Sequence, residues 1–97
     1  MLTEEQYLQV CAMEEAAEVT QRISKDLRFG LDDIQPGQSE TNRARLENEI
    51  VDFVTVLDLM DQLDIINLQG HADSYAAKRE KIEKYMQYAR DQGILEA

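Results

Sequence analysis

Residues 3–30, TEEQYLQVCAMEEAAEVTQRISKDLRFG, decide the fold. Thr3 followed by Gln6 is a capping-box pattern, and Glu4 and Glu5 suit the positive end of the helix that such a box starts. From there Leu8, Ala12, Ala16, Val19, Ile23 and Leu27 recur at three- and four-residue steps down to Phe29, and Gly30 offers a C-terminal cap. The spacing predicts one uninterrupted helix. At about 1.5 Å per residue it runs roughly 39 Å, more than a chain of this size can cover by itself.

Working outward, residues 31–41 hold the only proline, in Pro36-Gly37, among Asp32, Asp33, Gln38, Ser39 and Thr41, which is loop composition. A second helix is expected to start between Ser39 and Asn42. It carries Leu46, Ile50, Phe53, Val54, Leu57, Met60 and Leu63, while Val51, Val56 and Leu59 widen the apolar arc beyond one stripe, as in a helix packed on several sides. Asn67 to Asp73, with Gly70 and His71, reads as a turn. Tyr75, Ile82, Tyr85, Met86 and Ala89 then mark a third helix ending at Gly93. There is no internal repeat and no low-complexity segment. The expected fold is all-α: a single domain over residues 1–97 whose long antiparallel helices form a bundle completed by oligomerisation, as a homodimer or tetramer.

At 97 residues the chain sits at the small end of single domains, where pairing between subunits often makes up for a small core. Its 43% hydrophobic and 31% charged residues are those of a globular protein. Ten Lys+Arg stand against twenty Asp+Glu, a net charge of -10. A field of that sign repels polyanions, so neither a nucleic acid polymer nor an anionic membrane is an expected partner. A small phosphorylated ligand fits only if metal ions stand between its phosphates and the carboxylates. Cys11, the single cysteine, is read as a small buried apolar residue. A reducing, cytoplasmic setting is expected. Met1-Leu2-Thr3-Glu4-Glu5 lacks the basic-then-apolar layout of a signal peptide, and no apolar run approaches membrane-spanning length.

Two acidic pairs carry the chemistry. Glu15 with Glu18, and Glu49 with Asp52, are three residues apart and share a helix face, so each pair converges on one point. Two such pairs on neighbouring antiparallel helices would supply four carboxylates to one volume, which suits Mg²⁺ or Mn²⁺ in oxygen coordination. Acidic pairs also arise on solvated faces, and Glu4, Glu5, Glu80 and Glu83 are read that way. The chosen pairs differ in their company: Glu15 and Glu18 stand among Cys11, Ala12, Ala16, Ala17 and Val19, and Asp52 lies within Ile50-Val51-Asp52-Phe53-Val54. On the residues alone, a metal site and a solvated or salt-bridged face stand level.

The stretch Glu14-Glu15-Ala16-Ala17-Glu18-Val19, followed by Asn48-Glu49-Ile50-Val51-Asp52-Phe53-Val54, resembles the paired signature of the MazG-like, all-α nucleoside triphosphate pyrophosphohydrolases. Lys78-Arg79-Glu80-Lys81-Ile82-Glu83-Lys84-Tyr85 is similar to the basic-aromatic last helix of that superfamily. The resemblance implies a house-cleaning enzyme that cleaves the α–β phosphoanhydride of a (deoxy)nucleoside triphosphate, giving the monophosphate and pyrophosphate. It also implies Glu15, Glu18, Glu49 and Asp52 as Mg²⁺ ligands, with Glu18 the expected general base, and Lys81, Lys84 and Tyr85 as substrate contacts. The segment between the acidic pairs is longer here than is usual in the family, so its contacts do not carry over.

Lys25, seven residues beyond Glu18 on the same face, is a further phosphate candidate, as is Arg28; the competing reading pairs them with Asp26, Asp32 or Asp33. Phe29 and Tyr7 are read as packing residues before base-stacking ones, and His71 as a solvated loop residue. From another class, the competing function is a noncatalytic acidic helical module that engages a basic protein. Against it, Glu15, Glu18 and Asp52 lie beside the apolar stripes rather than opposite them. A di-iron bundle lacks its Glu-x-x-His pairs, since His71 is the only histidine.

Overall fold

The computed structural model describes all 97 residues and is all-helical: α1 spans Glu4–Phe29, α2 Asn42–Gln62 and α3 Ala72–Asp91, with a single 3₁₀ turn at Gln69–His71 before α3. The chain divides into two compact units, Met1–Ile66 and Asn67–Ala97. No helix is long and apolar enough to cross a membrane.

Within the first unit α1 starts where the capping box puts it. Thr3 Oγ1 accepts from the Gln6 amide at 3.1 Å and Gln6 Oε1 accepts from the Thr3 amide at 3.0 Å, which satisfies two of the donors that any helix start leaves open. At the other end Gly30 turns the chain out of the helix with φ 93°, a backbone region that side chains disfavour, and its amide donates to the Asp26 carbonyl at 2.8 Å. Thr41 caps α2 by accepting from the Ala44 amide at 3.1 Å.

The connection between them is strapped down. The Asn42 amide donates to the Asp33 carbonyl (2.9 Å) and the Arg43 amide to the Leu31 carbonyl (2.8 Å). Arg43 pairs with Asp32 at 3.1 Å, and Arg45 Nη1 donates to Gln35 Oε1 at 2.8 Å. Backbone groups that a loop would leave to water therefore close the α1–α2 hairpin, and the two helices pack against each other.

What lies between α1 and α2 is unusual for a hairpin of this length. Leu8 and Met60 are the only buried apolar side chains, while Arg22, Asp26 and Asn42 are buried polar ones. Asn42, fully buried, donates through Nδ2 to the Gly30 carbonyl at 2.8 Å and accepts at Oδ1 from Arg22 Nη2 at 3.1 Å. One amide thus joins the end of α1, the start of α2 and a buried cation. The outer sides of the predicted stripes stay open within the chain: Leu27 is 84% exposed and Val51 62%. Two helices can cover only one side of each other. Cys11, expected to be buried, is half-buried for the same reason.

The second unit consists of the 3₁₀ turn and α3, which ends at Asp91, two residues before the expected Gly93. Gly93 has φ 74°, and the amides of Ile94 and Leu95 return to the Ala89 carbonyl at 2.9 and 3.1 Å. No residue of this unit is buried, and Tyr75, Ile82, Tyr85 and Met86 are exposed.

Replacing Asn42 with Ala leaves a buried Arg22 donor without its acceptor, at a cost of about 1–3 kcal/mol, and takes from the Gly30 carbonyl its side-chain donor, worth about 1 kcal/mol. Urea unfolding of Asn42→Ala should show a loss of about 2–4 kcal/mol with an unchanged m-value, and a loss under about 1 kcal/mol would mean that water replaces the amide freely.

Candidate metal centre

Glu15 and Glu18 come from the middle of α1, and Glu49 from the second turn of α2, where the hairpin brings the two acidic motifs face to face. Each offers a carboxylate oxygen, and all three oxygens lie within 4.8 Å of one another. Glu15 and Glu49 are half-buried and Glu18 is exposed. Asp52 is exposed and stands outside this triad, but its charge is felt at both Glu15 and Glu49.

Two oxygens matter most. Glu15 Oε2 and Glu49 Oε2 are out of contact with solvent and neither has a hydrogen-bond donor. A carboxylate oxygen in that position calls for a proton or a cation. The electrostatics agree. Glu15 is pushed above the ordinary 4.5 by desolvation first, then by the charge of Glu18, a hydrogen bond with Glu18, and the charges of Asp52 and Glu49. Glu49 is raised by hydrogen bonding with Glu18 first, then by desolvation and the charges of Glu18 and Asp52; the Arg22 guanidinium pulls it partly back.

The other expected site residues fall into two places. Lys25 is half-buried on α1, two turns beyond Glu18. Arg28 lies over the Phe29 ring at 4.8 Å, and Asp32, one of its suggested partners, pairs instead with Arg43. In the second unit Lys81, Lys84 and Tyr85 share an exposed face of α3 and line one shallow cleft of about 370 Å³ with Ala77 and Glu80. Lys81 Nζ sits 6.0 Å from the centroid of the Tyr85 ring. Tyr7 is exposed, and His71 is the exposed residue that precedes α3.

Sequence reasoning missed Arg22 and Asn42. The signal was present for Arg22, which is four residues after Glu18 and therefore closer to the acidic face than Lys25. No comparable signal marked Asn42, since an asparagine at a helix start reads as a cap.

No protein-family model, no curated protein and no solved structure matches the chain. The site's chemistry therefore rests on its residues. Three carboxylates with oxygen-only donors, two of them holding an unpartnered buried oxygen, fit a hard divalent cation such as Mg²⁺ or Mn²⁺ better than a soft metal, which would seek thiolate or imidazole.

Because Glu15 and Glu49 bind protons more tightly folded than unfolded, the folded state holds more protons just above pH 4.5, and stability falls as pH rises through their raised values. Thermal melts in EDTA from pH 4.5 to 8 should show this decline. Glu15→Gln and Glu49→Gln should each flatten it and raise the melting temperature at neutral pH, and an unchanged slope in both variants would show that the acidic cluster is not its source.

Proposed function

We propose that this chain is a divalent-metal-dependent nucleoside triphosphate pyrophosphohydrolase of the MazG-like type, with deoxynucleotides as preferred substrates. The observation that carries the reading is the pair of buried, donorless oxygens on Glu15 and Glu49 within a carboxylate triad shared by two helices. Solvated acidic faces leave their oxygens to water, and an acidic surface for a basic protein partner would do the same.

On this reading Glu15, Glu18, Glu49 and Asp52 hold Mg²⁺, for which Mn²⁺ can substitute. When bound, the cation offsets the charge of the triphosphate and acidifies a neighbouring water. Glu18, exposed and within the triad, accepts a proton from water as the water oxygen bonds to the α-phosphorus. The α–β bridging P–O bond breaks, its electron pair leaves with pyrophosphate, and the nucleoside monophosphate remains. Glu15 and Glu49, with one oxygen each withdrawn from solvent, fix the site's position between the helices. The resemblance alone extends the proposal to Lys25, Lys81, Lys84 and Tyr85 as nucleotide contacts.

The decisive assay is a screen of ribo- and deoxyribonucleoside triphosphates with Mg²⁺ that detects pyrophosphate separately from orthophosphate. Pyrophosphate release should depend on Mg²⁺ and vanish in EDTA. Glu15→Gln and Asp52→Asn should abolish turnover and shrink the metal-induced rise in melting temperature while helical content stays nearly intact, because the amide keeps the shape and removes the charge. Full activity in both variants would rule out the ligand assignment, and no pyrophosphate from any nucleotide would favour the noncatalytic module.

The proposal includes self-association as a homodimer or a dimer of dimers. Two buried apolar side chains are a small core for 97 residues, and Ile23 and Leu27 on α1 and Ile50, Val51 and Val54 on α2 are exposed apolar side chains that a second hairpin would cover. Light scattering at micromolar concentration should give at least twice the mass of one chain. A well-folded monomer would remove the shared bundle from the proposal.

A further inference from the structure

One face of α3 sorts its charges by sign. Lys78, Ile82, Tyr85 and Ala89 recur along it at helical steps with Tyr75 and Met86 beside them, and the chain after Gly93 turns back to add Ile94 and Leu95. At about 100° per residue Asp73, Glu80 and Asp91 fall on the opposite side of the helix. The remaining acid, Glu83, is tied to Arg79 at 3.5 Å, whereas Lys78 and Lys81 form no ion pair. An apolar cleft of about 540 Å³ along this face is therefore bordered by two lysines and no carboxylate. Nothing in the chain covers it: Tyr75 is 73% exposed and Ile82 48%.

The first unit carries the complementary surface. Ile23 and Leu27 near the end of α1, Leu31 just past it and Leu46 on α2 line a groove of similar volume, whose charged members are Asp26, Asp32 and Arg43. Asp32 and Arg43 offset each other at 3.1 Å. That leaves Asp26. Neither of its oxygens has a hydrogen-bond donor, and Arg22 stands 3.9 Å from Oδ1. Each surface thus holds one self-cancelling pair and a surplus of the other's opposite sign, cationic on α3 and anionic on the hairpin, among apolar side chains that prefer cover.

We propose that the lysine-bearing apolar face of α3 docks in the hairpin groove of a second copy of this chain, the two copies exchanging α3 reciprocally. Other occupants fit less well. Two α3 faces brought together would oppose lysines with no carboxylate between them. An anionic bilayer suits a lysine-edged amphipathic helix but repels a chain of net charge -10. A second copy brings carboxylate and apolar side chains together, and because each copy owns both surfaces, a two-fold exchange covers them all and closes. The inference rests on the self-association proposed above and refines it, giving Ile23 and Leu27 to α3 of the second copy in place of its hairpin. It requires neither metal nor nucleotide.

Cross-linking of the full chain tests the proposal. With Cys11 replaced by Ser, L27C and I82C are made as separate proteins, mixed, and treated with a short bismaleimide. The mixed product should form about 10-fold faster than either self-linked product, because docking raises the effective concentration of the two thiols. In the double variant L27C/I82C the link should join two chains, and closure only within one chain would overturn the proposal. Faster self-linking of L27C would set hairpin against hairpin, faster self-linking of I82C would set α3 against α3, and either result overturns it. Light scattering across a concentration series reads the same contact without a linker. Ile82→Glu and Lys78→Glu, both at exposed positions, should each weaken association about 10-fold with helical circular dichroism unchanged. Glu80→Lys, on the far side of α3, should stay within about threefold. Equal weakening by Lys78→Glu and Glu80→Lys, or by neither, would show that this face makes no contact. A monomeric unaltered protein would remove self-association and the inference with it, whereas a dimer that fails the mixed cross-link removes the inference alone.

Discussion

Carboxylates facing one another across two packed helices are the constraint on which the rest of the Met1–Ile66 unit depends. Glu15, Glu18 and Glu49 bring oxygens within 4.8 Å, and Asp52 adds to the same field. Like charges at that range push α1 and α2 apart, most strongly where oxygens are withdrawn from water. Apolar contact inside the hairpin opposes this through the buried Leu8 and Met60 and the half-buried Val19, Phe53, Val56 and Leu57. Directed bonds at the loop end add to closure: the Asn42 and Arg43 amides on the carbonyls of Asp33 and Leu31, and the Arg22–Asn42–Gly30 chain. The hairpin is tied by hydrogen bonds where it turns and strained by charge midway along.

Charge is divided unevenly between the two units. Residues 1–66 carry 15 Asp+Glu and 5 Lys+Arg, whereas residues 67–97 carry 5 of each, so the whole net charge of -10 belongs to the hairpin unit. The neutral unit is also the one with no buried residue, an amphipathic helix with Lys81 and Lys84 beside Tyr85 on its exposed surface. An anion approaching the hairpin meets repulsion that only cations can offset, and on the proposed reading the metal is the chief of these.

Most of the fold was legible because its signals are local. The Thr3–Gln6 box, the apolar steps from Leu8 to Leu27, Gly30 and the Pro36-Gly37 loop each act within a few residues, and α1 begins and ends, and α2 begins, where those signals put them. The acidic motifs were legible as pairs for the same reason, helical spacing being enough to converge Glu15 with Glu18. Burial was not. Ile23 and Leu27 follow the apolar pattern yet are exposed in the chain, while Arg22, between them and the acidic face, is buried. Hydrophobic periodicity finds the side of a helix that prefers cover but not which neighbour provides it. A cation's attraction to acids on a facing helix leaves no mark in the period. Asn42 was hidden for a related reason: its bonds reach Gly30 and Arg22, 12 and 20 residues away.

The carboxylates of the cluster are not equivalent, and the difference bears on the division of labour proposed for them. Glu15 and Glu49 each have one oxygen shut away from solvent, and desolvation is among the causes that raise both. Glu18 and Asp52 are exposed. A ligand that must stay in place gains from the first environment, since burial fixes the side chain and makes exchange of its cation for water costly. A base gains from the second, because a proton taken from water must afterwards be passed to solvent. Glu18 alone combines exposure with an oxygen inside the triad. The geometry that makes the cluster costly to fold thus gives its members different surroundings, which on the proposed reading suit two of them to holding a cation and one to moving a proton.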